Sequence, residues 1–200
     1  MYTSKDMQVV AVTNRALCRR PFLEQMEMVC AAHPAAVILR EKDLSEADYT
    51  QLAKQVLDIC HTYQVPCILH TYLEAARTLG CESIHLPLPL LRQYASELSD
   101  FTQIGASTHS VEDALEAQRL GATYITAGHV YVTDCKKGLA PRGLSFLQNV
   151  CQSVSIPVYA IGGIQLDPVT HQINPGQAEE IASCGAHGGC IMSGMMQFTP

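Results

Sequence analysis

The stretch QIGASTHSVEDALEAQRLGATYITAGHV, residues 103–130, contains one complete strand–helix–strand unit. An apolar run at 103–107 predicts a strand. Ser110 is placed to cap a helix over 110–120, with acidic residues in its first turn, and Gly121 is placed to end it. A second apolar run follows at 124–130. Continuous apolar strands separated by helices are typical of a parallel sheet covered on both faces.

The same alternation continues along the whole chain. Helical patterns are clearest at 45–63, 110–120, 144–151 and 177–184. Eight apolar runs predict strands, at 8–14, 35–40, 67–70, 83–86, 103–107, 124–130, 157–161 and 189–192. Eight strands each followed by a helix predict a (β/α)₈ TIM barrel, formed as a single domain over residues 1–200. A doubly wound open sheet is the alternative, but it ordinarily needs a glycine-rich first turn, which Asn14-Arg-Ala-Leu17 is not.

The end of the chain departs from the barrel pattern. After the eighth strand only residues 193–200 remain, so we expect the C-terminal helix to be short or missing. Such a barrel exposes an apolar seam between its first and last helices. Either a partner subunit of a homo-oligomer covers this seam, or another segment of the chain replaces the helix.

Composition excludes several classes of protein. With 48% hydrophobic residues and a net charge of −6, the chain suits a well-packed domain and lacks the basic footprint of a nucleic-acid-binding protein. It has no apolar run of about 20 residues for a membrane span, and its first residues are too polar for a signal peptide. Nine cysteines without zinc-type spacing are typical of reduced thiols. We therefore expect a cytoplasmic location and no membrane partner.

The most informative functional segment is GHVYVTDCKKG, residues 128–138, which ends the sixth predicted strand. It places His129 at the strand's end, followed by Thr133, a thiol and two lysines, of which Lys136 is the first. Imidazole exchanges protons readily near neutral pH, and a basic loop binds anions. The segment therefore indicates acid–base chemistry on a phosphorylated small molecule, with a buried histidine before a solvated basic turn as the alternative interpretation.

Two turns rich in small residues end the last two predicted strands. Gly162 and Gly163 follow strand seven, while Ser193 and Gly194 follow strand eight. Loops after these two strands commonly bind phosphate in TIM barrels, through backbone N–H groups that glycine leaves accessible. The irregular stretch 165–176 comes directly after the first turn, where it is either a lid over the site or a surface insertion.

Further candidate ligand-binding groups end other strands. Arg40 and Lys42 follow strand two, and Ser107 ends strand five. His70 and His85 end strands three and four, so several imidazoles are expected at one mouth of the barrel. The spacing shows no carboxylate–histidine pattern, and we expect no metal site and no cofactor.

Taken together, these segments resemble the family that contains thiamin phosphate synthase and thiazole tautomerase, both TIM barrels of this size. The string from Gly128 to Gly138 is similar to the tautomerase branch, because the synthase branch typically has proline where His129 stands. The resemblance rests on five motifs in the same order, which are Leu39-Arg-Glu-Lys42, Ser107-Thr-His-Ser110, residues 128–138, Pro157-Val-Tyr-Ala-Ile-Gly-Gly163 and Ile191-Met-Ser-Gly194.

The chain departs from the synthase pattern at two positions. That enzyme holds Mg²⁺ through two aspartates, and Thr71 and Leu90 occupy the corresponding positions here. Leucine offers no oxygen ligand to Mg²⁺, so the synthase reaction is disfavoured, although the retained Arg40 and Lys42 keep it as the alternative. A non-catalytic regulatory barrel that binds thiazole phosphate is a further alternative.

The tautomerase resemblance implies a metal-free isomerisation of a thiazole carboxylate phosphate to its aromatic form. His129 would remove one proton and deliver another. Arg40 would bind the substrate carboxylate in a bidentate manner. The resemblance places the phosphate among Thr133, Gly162, Gly163, Ser193 and Gly194, with Lys136 nearby. The expected small-molecule partner is the phosphorylated thiazole.

Overall fold

The computed structural model describes residues 7–136 and 138–199 and shows a closed barrel of eight parallel strands, which confirms the predicted fold class. Each strand pairs with the next along the chain, and β1 pairs with β8 to close the barrel. The strands are β1 Gln8–Val12, β2 Ala36–Leu39, β3 Cys67–His70, β4 Ser83–Pro87, β5 Gln103–Thr108, β6 Tyr124–Gly128, β7 Val158–Ile161 and β8 Gly188–Ile191.

A helix follows every strand and packs on the outside of the barrel. Ser110 caps its helix as predicted, and Ser45 caps α2 in the same way, since their hydroxyls accept hydrogen bonds from the N–H groups of Asp113 and Asp48. The helices are α1 Phe22–Ala31, α2 Glu46–Thr62, α3 Leu73–Thr78, α4 Leu88–Tyr94, α5 Val111–Arg119, α6 Gly143–Ser153, α7 Pro175–Ser183 and α8 Ser193–Met196. Within the described residues, no helix is both long and apolar enough to cross a membrane.

Two apolar clusters divide the interior. The larger lies between the strands and the helices and includes Met26, Val56 and Leu147. The smaller fills the barrel itself with inward-facing residues such as Val10, Ile38 and Tyr124. The two clusters follow from the two faces of each strand, because successive side chains point to opposite sides.

One outer helix reaches between two strands. Tyr49 on α2 is fully buried, and its hydroxyl donates to the carbonyl of Leu39 at 2.7 Å and accepts from the N–H of His70 at 2.9 Å. The phenol thus joins the carboxyl ends of β2 and β3. Both backbone groups are satisfied in the buried interior, as buried polar groups must be.

The expected gap after β8 is filled by the chain itself. Helix α8 has only four residues, as predicted, but Met195, Met196 and Phe198 are all buried. The buried amide of Gln25 on α1 donates to the carbonyls of Met195 and Phe198, at 2.8 and 3.1 Å. The seam is therefore not bare, which agrees with the alternative that another segment of the chain replaces the helix, because apolar side chains of the tail occupy it while Gln25 satisfies two of its carbonyls.

Candidate active site

A cavity of about 1080 Å³ opens at the carboxyl ends of the strands. All ten residues that the sequence predicted for the site contribute to its wall, although they come from five different strand ends. They are Arg40, Lys42, Ser107, His129, Thr133, Lys136, Gly162, Gly163, Ser193 and Gly194. The structure thus brings the whole predicted set together, while the role of each residue stays a prediction.

His129 follows directly after β6 and is held there by main-chain hydrogen bonds. The N–H of Val130 donates to the carbonyl of Ile161 at 2.9 Å, and the N–H of Arg142 donates to the carbonyl of His129 at 3.0 Å. The side chain is only 9% exposed, and its Nε2 atom has no hydrogen-bond partner among the described residues. A buried polar nitrogen ordinarily has a partner, so His129 keeps an unused hydrogen-bonding atom beside the cavity.

The two glycines after β7 allow this close packing. Both have positive φ, 96° at Gly162 and 72° at Gly163, a conformation that side chains other than glycine rarely adopt. A Cβ atom at Gly162 would collide with Cα and Cβ of His129, and one at Gly163 would collide with the backbone of Val132. Glycine is therefore required here to seat the His129 segment against the turn, whatever further part the two residues play in binding an anion.

The turn after β8 packs against the long segment that follows β7. A Cβ atom at Gly194 would come within 3.3 Å of Cβ of Leu166. Leu166 and Ile173 form an antiparallel bridge that closes the segment 165–176 on itself. Gln165, Leu166 and Pro168 line the cavity, so this segment is part of the cavity wall. The segment 165–176 therefore borders the cavity, and its role as a lid stays a prediction.

The cavity is positively charged although the chain as a whole is negative. Arg40, Lys42 and Lys136 contribute three cations, whereas Asp134 is the carboxylate among the described wall residues. Partial burial, and then the positive charges of Arg40 and Lys136, lower the pKa of Lys42 from its ordinary value. Because like charges raise one another's energy, an anionic ligand would relieve the repulsion. Lys137, also in the predicted basic loop, lies outside the described residues.

A buried carboxylate supports the wall beside Arg40. Glu41 is 3% exposed and accepts hydrogen bonds from the hydroxyl of Thr13 and from Nη1 of Arg15, at 2.7 and 3.1 Å. The hydroxyl of Thr13 accepts in turn from the N–H of Arg40 at 2.8 Å. The charge of Glu41 is therefore used in fixing the strand end rather than presented to the cavity.

Two buried imidazoles form the floor of the cavity, as their strand positions predicted. The rings of His70 and His85 stack with centroids 5.5 Å apart. Burial lowers the pKa of His85 to about 3, with a further contribution from Arg40 and Lys42, and it lowers the pKa of His70 well below its ordinary range. Both rings are therefore neutral at physiological pH. The Nε2 atom of His85 lies 2.9 Å from the hydroxyl of Ser107.

The donor set of the cavity does not fit Mg²⁺. This ion needs several oxygen ligands in an octahedron. Among the residues that the structure describes, no three histidine, cysteine or acidic side chains form a group able to hold a metal. Leu90 lies on α4, packed against the apolar core, and the hydroxyl of Thr71 is 2.6 Å from Nδ1 of His70. No step below is therefore assigned to a metal.

Several residues of the cavity wall were not predicted from the sequence. Asn14, Thr126 and Met192 line the cavity, and so do Gln197, Phe198 and Thr199 of the tail. Asn14 and Met192 carry a usable signal, because each is the last residue of a predicted barrel strand, at its carboxyl end. The tail residues carry none, since the strand–helix alternation has ended before them.

Comparison with known proteins agrees with this geometry. The family model described as thiamine monophosphate synthase matches residues 9–195. A thiamine-phosphate synthase of Clostridium acetobutylicum is 32% identical over 196 residues, covering 96% of this chain and 88% of that protein. A "thiamine-phosphate synthase 2" of Streptococcus pneumoniae is 33% identical over 178 residues, with 86% and 83% covered.

A solved structure is similar over the same extent. The thiamine phosphate pyrophosphorylase of Pyrococcus furiosus superimposes with a TM-score of 0.78 at 26% identity, covering 96% of this chain and 89% of that one. The family resemblance expected from the motifs is thus confirmed. The names of these relatives support the synthase alternative better than the tautomerase branch, which none of the three names indicates.

Proposed function

The chain belongs to the thiamine monophosphate synthase family, and we propose that within this family it is a thiazole tautomerase of thiamin biosynthesis. The substrate is a phosphorylated thiazole carboxylate whose ring is not yet aromatic, and the product is its aromatic isomer. The observation that carries the proposal is His129, which lines a cationic cavity and whose buried Nε2 atom has no hydrogen-bond partner among the described residues.

The chemistry requires one base that becomes an acid. Nε2 of His129 takes a proton from the ring carbon, the ring double bond forms as the exocyclic double bond shifts, and the same imidazolium returns a proton to the exocyclic carbon. Atoms and charge balance, because the product is an isomer of the substrate. Burial of His129 keeps bulk water from competing for the proton between the two steps.

Binding is assigned to the charged side chains and to the turns that line the cavity. Arg40 is placed to grip the carboxylate, since guanidinium forms paired hydrogen bonds with carboxylate oxygens. The phosphate is assigned to Thr133 and to the turns after β7 and β8, with Lys136 and Lys42 adding positive charge. With both charged groups of the substrate held in this cavity, its ring is assigned to a position beside His129.

The second candidate is the synthase reaction, and the names of the relatives favour it. It couples a pyrimidine pyrophosphate to thiazole phosphate and depends on Mg²⁺ to neutralise the leaving pyrophosphate. The described donor set does not hold that ion, and this is the reason for ranking the reaction second. A regulatory barrel that binds thiazole phosphate without turnover ranks third.

A three-way assay separates these functions. The purified full chain is supplied first with the non-aromatic thiazole carboxylate phosphate, and aromatisation is followed by ultraviolet absorbance. It is then supplied with pyrimidine pyrophosphate, thiazole phosphate and Mg²⁺, and pyrophosphate release is measured. We expect rapid aromatisation and no pyrophosphate. Pyrophosphate without aromatisation would assign the synthase reaction, and saturable binding of the thiazole phosphate with neither product would assign the regulatory barrel.

A further inference from the structure

A hydrogen-bonded chain of three side chains runs from inside the barrel to the cavity. The hydroxyl of Tyr124 lies 2.9 Å from Nδ1 of His85, and Nε2 of His85 lies 2.9 Å from the hydroxyl of Ser107. Tyr124 and His85 are 5% and 2% exposed, whereas Ser107 is half-buried in the cavity wall. Tyr124 is the first residue of β6, His85 lies on β4 and Ser107 lies on β5. The register of these three neighbouring strands therefore brings the side chains together.

The direction of these hydrogen bonds follows from counting protons. A neutral imidazole donates from one nitrogen and accepts at the other. If Nδ1 of His85 donated to Tyr124, the phenol proton would need a second acceptor, yet His85 is the one partner that the described residues offer this hydroxyl. A buried donor left without a partner costs about 1–3 kcal/mol. Tyr124 therefore donates to Nδ1, which places the imidazole proton on Nε2.

The same count fixes the orientation of Ser107. Since Nε2–H of His85 donates to the serine oxygen, that oxygen is occupied as an acceptor on the side of the ring. Its own proton is then directed away from His85 and toward the cavity. Burial raises the pKa of Tyr124 well above its ordinary value and lowers that of His85 to about 3, so neither group changes its protonation near neutral pH. The arrangement is thus constant over the working range.

The backbone makes room for this contact at one position. Gly105 lies on β5 between the two rings, and a Cβ atom there would collide with the Tyr124 hydroxyl and with Nδ1 of His85. The barrel interior is therefore shaped around this particular hydrogen bond. Branched aliphatic side chains commonly fill such interiors, so a buried tyrosine–histidine pair calls for a reason beyond packing.

We propose that Tyr124 is a positioning residue, which acts through His85 to hold the hydroxyl of Ser107 as a hydrogen-bond donor to an acceptor group of the substrate, a carboxylate or phosphate oxygen. The proposal deepens the proposed function, on which it rests for the identity of the substrate. Tyr124 itself contacts neither the substrate nor the reacting atoms.

The tautomer of His85 is measured first, because this test needs no activity. Nitrogen-15 NMR of the full chain with labelled histidine distinguishes the two neutral tautomers, and the His85→Gln variant identifies the signal. We expect the proton on Nε2 in the wild-type protein, and a mixture of tautomers in Tyr124→Phe. A proton on Nδ1 in the wild-type protein would overturn the proposal, even if the chain proves to be a tautomerase.

Kinetics then test the effect on the substrate. Ser107→Ala and Tyr124→Phe should each raise KM about tenfold, with kcat changed less than about twofold, as for a hydrogen bond to a charged group that is equally strong in ground and transition states. The double variant should be no worse than Ser107→Ala, because the two residues act as one unit. Losses that multiply in the double variant would refute the link.

Tyr159→Phe is the matched control. Tyr159 on β7 also packs edge-on against Tyr124, with ring centroids 5.8 Å apart. Its hydroxyl, however, donates to Oε1 of Gln8 at the opposite end of the barrel. We expect this variant to keep the wild-type KM. If it raised KM as much as Tyr124→Phe does, general loosening of the interior would explain both, and the proposal would be wrong. A wild-type chain without aromatising activity would refute the proposed function and leave the NMR result valid.

Discussion

The cavity wall after β6, β7 and β8 is made mainly of backbone turns, whereas the wall after β2 to β5 is made of long or buried side chains. On the first side, Gly162 and Gly163 let the chain fold tightly against His129. On the second side, Arg40 and Lys42 reach from the strand end, and His85 fills the floor. The first side therefore depends on backbone shape to hold His129, and the second on side chains that extend from the strand ends.

The two sides also differ in how they relate to the family. The turn side carries three of the five motifs on which the resemblance rests, including the segment at 128–138 and the glycines after β7, and the side-chain side carries the other two. The side-chain side carries the departures at Thr71 and Leu90. A shared frame can serve different reactions, because the chemistry depends on the few side chains added to it.

The turn side is tested most strongly by His129→Ala. We expect turnover in the aromatisation assay to fall by about 10²–10⁴, the usual contribution of one general acid–base group, with the thermal midpoint nearly unchanged. His61→Ala, a change of the same kind at an exposed position on α2, is the control and should keep full activity. Wild-type turnover in His129→Ala would remove this residue from the mechanism.

The side-chain side is tested by acid. The folded protein keeps His85 neutral down to a pKa of about 3, and His70 is shifted in the same direction, whereas both protonate near 6.5 when the chain unfolds. The unfolded state therefore binds more protons below pH 6.5. The free energy of unfolding should fall by about 1.4 kcal/mol per pH unit for each imidazole between pH 6.5 and 5.

Urea titrations at several pH values measure this slope. Replacing His85 by glutamine removes one of the imidazoles whose pKa is lowered by burial, while His70 and His187 remain, so the slope of that variant should be smaller by about 1.4 kcal/mol per pH unit. The contribution of the neutral imidazoles to the free energy of unfolding is fully present above pH 6.5 and is lost on acidification. A slope that is the same in both proteins would show that His85 does not carry the effect.

Gly162→Ala probes the backbone packing of the turn side. The added methyl group collides with His129, so we expect a loss of about 1–3 kcal/mol in the free energy of unfolding, as for other overpacked sites. Gly121→Ala is a matched control, because Gly121 has nearly the same φ, 95°, with no atom within 4 Å of the added Cβ. Equal losses in the two variants would mean that φ strain alone is responsible.

Chelation should produce the smallest effect. Since the described residues of the side-chain half offer no set of ligands for Mg²⁺, we expect EDTA to leave the rate of aromatisation unchanged. The assay is repeated with added Mg²⁺ as the control. Loss of activity in EDTA that Mg²⁺ restores would contradict the distinction between the two sides and favour the synthase reaction.

Much of the fold was predictable because each strand is a short apolar run with a helix after it. The bounds of β3 were predicted to the residue, but β6 ends at Gly128, two residues earlier than expected. There the chain leaves the barrel to pack on Gly162, a contact with no local signal. Helices α3 and α4 have only six and seven residues, too few for their apolar period to be recognised.

The candidate site was predictable where its residues end strands, because the barrel collects those ends at one mouth. The contact of Tyr124 with His85 was not, since it depends on the register of three strands. Burial of Phe198 was likewise unpredictable, because it depends on Gln25, which lies more than 170 residues earlier and donates to the Phe198 carbonyl.

The phenol of Tyr49 connects the outer layer of the molecule to the cavity floor. Its hydroxyl lies between the Leu39 carbonyl and the N–H of His70, so the spacing of these two neighbouring strands is partly set by a helix. A substitution on the solvent-facing side of α2 that shifted this helix would therefore move His70, and with it the cavity floor, without contacting the substrate. Sequence changes far from the cavity opening can thus alter the shape of the cavity floor.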